Sequence, residues 1–451
     1  MEPATTVTAL KLPPHISDHM IFQRGRNIII TGQAPAGAAI TVAMNGKTGT
    51  ATARNGVFQA VLPAMPEGGP YALTISGAGE TKTINDVVVG DIWIVAGQSN
   101  MAFATAGLED NKQVLSDAEY PQLRLYMQNG GGEPTSRYPA RWQPCTAKVA
   151  AGFTAVGFLF ARGIHQALHV PVGIMYVVRD GGDIRLFMRD DVLASLTPDV
   201  PYKYGPKPKT TLFSDFLEPL IGFPITGLVY YQGEGNQKEP YNYRKLLPAM
   251  VQDVRALWGQ GNFPFIIVQL PRYKDSFVGV REAQFLAAQT IPNVALVTTI
   301  DTGGPKALHP PDKRLIGDRA AQAALGLAYH QVGEHEGPQF AEAKSIGNRL
   351  LLRFLHTGTG LEARGTLDGF LLAGEEGDLA PARAEIAGPD TVAVWREDVA
   401  KPVTARYLWN GAPRACLYNR EGFPASPFRT DAIQFNRTYD NNDACMSRRG
   451  E

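Results

Sequence analysis

Cysteine is scarce. Three residues in a chain of 451, at positions 145, 416 and 445, are too few for a disulfide framework and too scattered for a metal site. At most one bridge forms, which leaves a thiol over, and buried free thiols are the plainer reading. An excess of charge is also missing, since 43 Lys and Arg balance 43 Asp and Glu and no basic stripe stands out. Nucleic acid is therefore not an expected partner. No apolar run reaches the length of a bilayer span, so no membrane partner is expected. The first residues, Met1-Glu2-Pro3-Ala4-Thr5-Thr6, lack a cationic stretch followed by an apolar core and do not read as a signal peptide.

Several catalytic signatures are absent. There is no Gly-x-Ser-x-Gly elbow, no phosphate-cradling loop and no His-Glu-x-x-His helix. No pair of carboxylates falls where the strand order would set it across one glycosidic bond, which argues against a glycosidase. No cofactor, metal or organic, is called for.

What is present is an ordinary globular composition, 44% hydrophobic and 19% charged, over a length that suits two or three domains. Residues 10–88 alternate short β runs with turn signals, among them Asn45-Gly46 and Asn55-Gly56, and predict a small N-terminal sandwich. Residues 89–335 change to alternating strands and helices. Buried strands are expected at 92–96, 171–178, 225–231, 265–270 and 294–300, and helices at 154–168, 243–258, 280–289 and 314–329. The fold class is α/β, a doubly wound parallel sheet in three α/β/α layers. Residues 346–431 return to β. The polar segment after Ser99, with Asn129-Gly130-Gly131-Gly132, is expected to loop over the site, and the tail beyond Asp431 to be an extended end.

The organising stretch is Asp91-Ile92-Trp93-Ile94-Val95-Ala96-Gly97-Gln98-Ser99-Asn100-Met101, a buried strand running into a glycine turn. Ser99 reads either as a nucleophile at the carboxyl edge of the sheet or as a plain helix cap. Two further segments follow sheet strands and reach the same edge. They are Tyr231-Gln232-Gly233-Glu234-Gly235-Asn236 and Ala307-Leu308-His309-Pro310. Serine, a side-chain amide and histidine at one edge supply a nucleophile, an oxyanion donor and a base. Gly181, after the strand at 171–178, reads as a further oxyanion N–H or as a turn glycine. Gln98, Gln232, Glu234 and Arg179 are the candidate substrate-binding residues.

An ordered set of motifs resembles the sialate O-acetylesterase family, within the Gly-Asp-Ser-Leu/SGNH-type hydrolases. The first is Ser17-Asp18-His19-Met20-Ile21-Phe22-Gln23-Arg24. Next come Val89 to Met101, and Tyr231 to Asn236 with Gly235 where relatives carry Ser. Arg281-Glu282-Ala283-Gln284, His309-Pro310 through Lys313, Leu417-Tyr418-Asn419, and Ser426 to Asp431 complete the set. The resemblance implies an SGNH-like catalytic domain between N-terminal and C-terminal β-sandwich-like regions. It implies an esterase that removes O-acetyl groups from sugars, whether sialic acid or a plant polysaccharide, through an acetyl-enzyme. Carried over by position, Ser99 is the nucleophile, His309 the base, and Ser99, Gly181 and Asn236 the oxyanion donors. Such enzymes are often exported, which implies a signal already removed, with a cytoplasmic location as the alternative.

Two departures stand out. Relatives carry Asp two residues before the catalytic His, where this chain has Ala307. Asp301 is the stand-in considered, beside a backbone carbonyl and a bare Ser–His dyad. Relatives also carry Ser-Ser-Trp-Gly-Gly where this chain has Val178-Arg179-Asp180-Gly181-Gly182. Arg179 would read a substrate carboxylate or pair with a neighbouring acid. The missing Asp keeps open a catalytically weak carbohydrate-binding protein, and a general short-chain esterase is the other alternative.

Overall fold

The computed structural model describes residues 7–127, 140–196, 212–274, 277–375 and 378–431. Asn129 to Gly132, Cys445 and the tail after Asp431 lie outside them. Cys145 and Cys416 are buried and free.

The sheet is built around β1 (Glu80–Gly97), an 18-residue strand. Its first half pairs antiparallel with Gly68–Gly77 of the N-terminal β region. Its second half, 92–96, is Ile-Trp-Ile-Val-Ala and at most 1% exposed, the continuous apolar run that a strand covered on both faces requires. One strand therefore crosses the change of pattern expected near residue 88. The other strands of the catalytic sheet are β2 (Tyr120–Met127), β3 (Arg141–Cys145), β4 (Val172–Val178), β5 (Gly227–Tyr231), β6 (Phe265–Val268) and β7 (Val294–Val297). Their order is β7-β6-β5-β1-β4-β2-β3. All pair parallel except β3, which runs antiparallel to β2. The chain enters β4 on one side of β1 and β5 on the other. This is the reversal of strand order that opens a crevice at the carboxyl ends.

The segment after Ser99, expected as loop, contributes β2 and β3 instead. Pro121, Pro144 and a buried Arg124 mask their pattern. Arg124 is held by Asp86 at 2.6 and 2.8 Å, and proline is tolerated at a sheet edge.

Two helix pairs cover the sheet. One is α2 (Ala155–Leu168) with α5 (Arg314–Tyr329), the other α3 (Pro240–Trp258) with α4 (Val278–Thr290). Helix α2 starts where Thr154 Oγ1 accepts the Gly157 N–H at 3.2 Å and ends at His169 in the left-handed region.

The N-terminal region is all β. Asn45 and Gly46, with φ of 48° and 72°, join Ala39–Met44 to Lys47–Thr52 by the tight turn that their sequence calls for. Its seam with the catalytic sheet is the Gln23-Arg24 pair. Arg24 donates to both Asp91 oxygens at 2.9 Å, and Gln23 Oε1 accepts the Ile92 N–H at 2.9 Å. The C-terminal region starts at Gln339–Ile346 and, among the described residues, forms two four-stranded antiparallel sheets and a two-stranded one of Leu361–Ala363 with Leu417–Asn419. Its seam is Arg281, wholly buried. Arg281 donates to the carbonyls of Leu270 and Pro271 on one side (3.0 and 2.6 Å) and of Asn410 and Gly411 on the other (3.0 and 2.8 Å).

Candidate active site

Strand β1 ends in a turn that only glycine can make. Gly97 has φ of 152°, and a Cβ there would lie 2.1 Å from the Tyr231 carbonyl oxygen of β5. The chain turns directly into a short helix, α1 (Ser99–Ala102), whose N-cap residue is Gln98 and not Ser99. Ser99 is the first helical residue, its hydroxyl does not cap, and its N–H has no acceptor within the helix. Its Oγ instead lies 2.7 Å from His309 Nε2. Ser99 is half-buried and His309 exposed, so the pair opens to solvent. Burial, with the Lys313 ammonium adding to it, holds His309 below the ordinary imidazole value, while Asp180 pulls the other way. A neutral imidazole with its proton on Nδ1 accepts the Ser99 hydroxyl at Nε2.

The turn after β4 stands beside this pair. Arg179 N–H donates to the Gly97 carbonyl at 3.2 Å, and Gly182 N–H to the Arg179 carbonyl at 3.2 Å. Gly181 lies at the tip with φ of 65°. It is exposed, and among the described residues nothing accepts its N–H. Arg179 and Asp180 are also exposed there.

Asn236, expected as a third oxyanion donor, is placed differently. Its side chain is wholly buried. Its Oδ1 accepts from Ile184 N–H at 3.1 Å and Gln232 Nε2 at 2.9 Å, and its Nδ2 donates to Asp183 at 3.0 Å. It is the clasp of the loop that carries Gly181.

Gln98, Gln232 and Glu234, expected as substrate-binding residues, are all buried, at 3%, 0% and 8% exposure, and bond to neighbouring loops. Gln98 Oε1 accepts the N–H groups of Gly233 and Gly235 at 3.4 and 3.1 Å. Gln232 Nε2 donates to the Gly182 carbonyl at 2.9 Å. Glu234 accepts from Asn100 Nδ2. Buried polar groups tend to pair, and here the pairing welds three loops together, with Glu234 Oε2 left without a partner among the described residues.

Asp301 does not orient His309. Its two oxygens accept from Arg319 of α5, both at 2.7 Å, because a guanidinium fork fits a carboxylate side-on. Among the described residues no acceptor meets His309 Nδ1.

Sequence reasoning left Asn100 and Lys313 without a role, although both sit inside the quoted motifs. Asn100 Nδ2 also donates to the Leu308 carbonyl at 3.0 Å, and Lys313 Nζ donates to Asn100 Oδ1. A cleft of about 380 Å³ is lined by residues before and after His309 on its loop but not by His309 itself, among them Gly303, Ala307, Pro310 and Asp312, together with Glu109. Among the described residues no group of three or more His, Cys, Asp or Glu is placed to hold a metal ion, and no helix is long and apolar enough to cross a membrane.

A doubly wound parallel sheet with serine and histidine meeting at its carboxyl edge is the frame of a hydrolase acting on carboxylic esters. Comparison with known proteins gives the family. The profile described as carbohydrate esterase, sialic acid-specific acetylesterase matches residues 89–330, and the chain belongs to that family. It is similar to a carbohydrate acetylesterase from Xanthomonas citri of known crystal structure. That likeness is 33% identity over 94% of this chain and 100% of the other, with a TM-score of 0.86. It is also 25% identical to the sialate O-acetylesterases of Homo sapiens and Pongo abelii, over 76% of this chain and 76% of each relative. The protein is a carbohydrate O-acetylesterase.

Proposed function

We propose that this esterase works through Ser99 and His309 as a dyad, with the N–H groups of Ser99 and Gly181 as its oxyanion hole. The observation that carries the reading is the 2.7 Å approach of Ser99 Oγ to His309 Nε2. His309 takes the hydroxyl proton as Oγ attacks the acetyl carbonyl carbon. The resulting oxyanion accepts from the two backbone N–H groups, each worth about 3 kcal/mol by the measured range for such donors. His309 then returns the proton to the sugar oxygen as the C–O bond breaks, leaving acetyl-Ser99. Water loses a proton to His309, attacks the same carbon and releases acetate. Among the described residues, no carboxylate is hydrogen-bonded to the imidazolium formed on the way. Asp180 acts on it through space, which is the direction of its pull on His309.

The substrate is an acetylated sugar. Sialic acid and plant polysaccharide remain the two candidates, and Arg179, exposed beside Gly181, is the residue that would favour a substrate carboxylate. We also infer export, because O-acetylated glycans are surface and extracellular polymers; fractionation of the native host tests that. The activity test is acetate release from 9-O-acetylated sialic acid and from acetylated xylan in parallel, with Ser99→Ala as control. Turnover lost in Ser99→Ala supports the nucleophile, and turnover retained rejects it. Equal effects of Arg179→Ala on acidic and neutral substrates would reject its role in reading a carboxylate.

A further inference from the structure

Behind Ser99 lies a knot of buried polar groups that the mechanism above does not use. Its centre is the Asn100 amide, 1% exposed. Nδ2 donates to Glu234 Oε1 and to the Leu308 carbonyl, and Oδ1 accepts from Lys313. Leu308 immediately precedes His309, and Lys313 follows it by one helical turn's worth of chain. Both ends of the segment that carries the base are therefore fastened to one side chain, which itself follows the nucleophile. Glu234 ties the same amide to the turn after β5.

Lys313 is the unusual member. It is wholly buried, and its ammonium lies 5.3 Å from the Phe103 ring centre and 5.5 Å from that of Tyr231. A buried ammonium costs stability unless its setting repays it. Two ring faces, one amide oxygen and the charges of Glu234 and Asp312 make up its setting.

We propose that Asn100 and Lys313 are positioning residues for the hydrolysis, gripping the His309 segment so that the imidazole meets Ser99 without a carboxylate behind it. This rests on the Ser99–His309 reading. An orienting carboxylate fixes a histidine from its far nitrogen; here the backbone on either side of the histidine is fixed instead. Lys313 has a second effect. The groups that face this pair are Glu234 from the β5 turn, Asp312 from Lys313's own turn and Asp180 from the β4 turn. Burial brings Lys313 down to about 7, with Glu234 and Asp312 opposing the fall. Below that pH Lys313 carries its charge, which disfavours protonation of His309. Removing the charge therefore raises the histidine's pKa and moves the acid limb of kcat/KM to higher pH.

The experiment is a pH profile of kcat and KM for an aryl acetate, using the full chain and Lys313→Met and Lys313→Arg variants, with Ser99→Ala as control. Lys313→Met is expected to lower kcat by about tenfold to a hundredfold, the scale of a small misplacement of a reacting group, with KM little changed. Its acid limb should move to higher pH, and Lys313→Arg should bring the limb back. A folded Lys313→Met with the wild-type profile overturns the proposal. So does a loss of kcat with an unmoved limb, since a merely structural role predicts that. Should Lys313→Met not fold, Asn100→Ser carries the test through kcat, expected to fall with KM unchanged; wild-type kcat rejects the grip. Activity surviving in Ser99→Ala would instead overturn the reading beneath.

Discussion

His309 depends on what is done with the carboxylates around it. Asp301 is spent on Arg319, at 2.7 Å on each oxygen, so Asp301→Asn is expected to leave kcat/KM close to wild type. It should cost about 2 kcal/mol of stability, because it halves a nearly buried ion pair. Kinetics beside a urea melt separates the two effects, and a strong loss of kcat at unchanged fold would reinstate Asp301 behind the base. Ala307 is the complementary case. It is half-buried on a loop bordering an open cleft, two residues before His309. Ala307→Asp is expected to raise kcat by about tenfold or more, since the imidazolium then gains a partner. An unchanged kcat would mean that the backbone grip alone sets the histidine.

At the scale of elements, three turns are cut to fit one another. Gly97 brings the end of β1 against the end of β5, and Gly97→Ala would force its Cβ to within 2.1 Å of the Tyr231 oxygen. The expected cost is roughly 2–4 kcal/mol, with Ser99 displaced and kcat lost at temperatures where the chain still folds. The same turn receives the Arg179 N–H from the β4 loop and the Gln98 clasp on Gly233 and Gly235 from the β5 loop. The family motifs far from Ser99 work as seams between elements. Arg24→Ala would leave Asp91, 3% exposed in its side chain, without its bidentate partner. A loss of roughly 2–4 kcal/mol is expected, with kcat/KM intact well below the melting temperature; equal stability of the variant would show the seam to be dispensable.

At the scale of the whole molecule, the joint between the N-terminal region and the catalytic sheet holds a buried histidine. His15 is 6% exposed, its carbonyl accepts Trp142 Nε1 at 2.9 Å, and its ring lies 5.3 Å edge-on from Phe223. Burial lowers its pKa from 6.5 to about 4. Between those values the unfolded chain holds more protons than the folded one. The stability contributed by a neutral His15 is therefore full above 6.5 and is lost as pH falls toward 4. Urea unfolding should show about 2 kcal/mol less stability at pH 5 than at pH 7 from this group alone. His15→Gln should abolish that share of the slope, and an identical slope in the variant would remove His15 as its source.

Much of this was legible in the chain itself. An apolar strand at 92–96, helices at 3.6-residue spacing and Asn-Gly turns are local patterns, and each appears where the residues place it, because burial and turn geometry act over a few residues. The Ser99–His309 meeting was legible too, since strand ends of a parallel sheet share an edge. Other features needed the tertiary structure. Strands β2 and β3 were hidden by prolines and by an arginine whose partner, Asp86, lies 38 residues away. Gln98, Gln232 and Glu234 are polar residues at a catalytic edge, which in sequence read as substrate contacts, and Asn236 reads there as an oxyanion donor. Whether such an amide faces a sugar or a backbone depends on what packs over it, and here three loops do. The choice of Arg319 over His309 by Asp301, and the meeting of Asn100 with Lys313 across 213 residues, follow from chain crossings that no local pattern encodes.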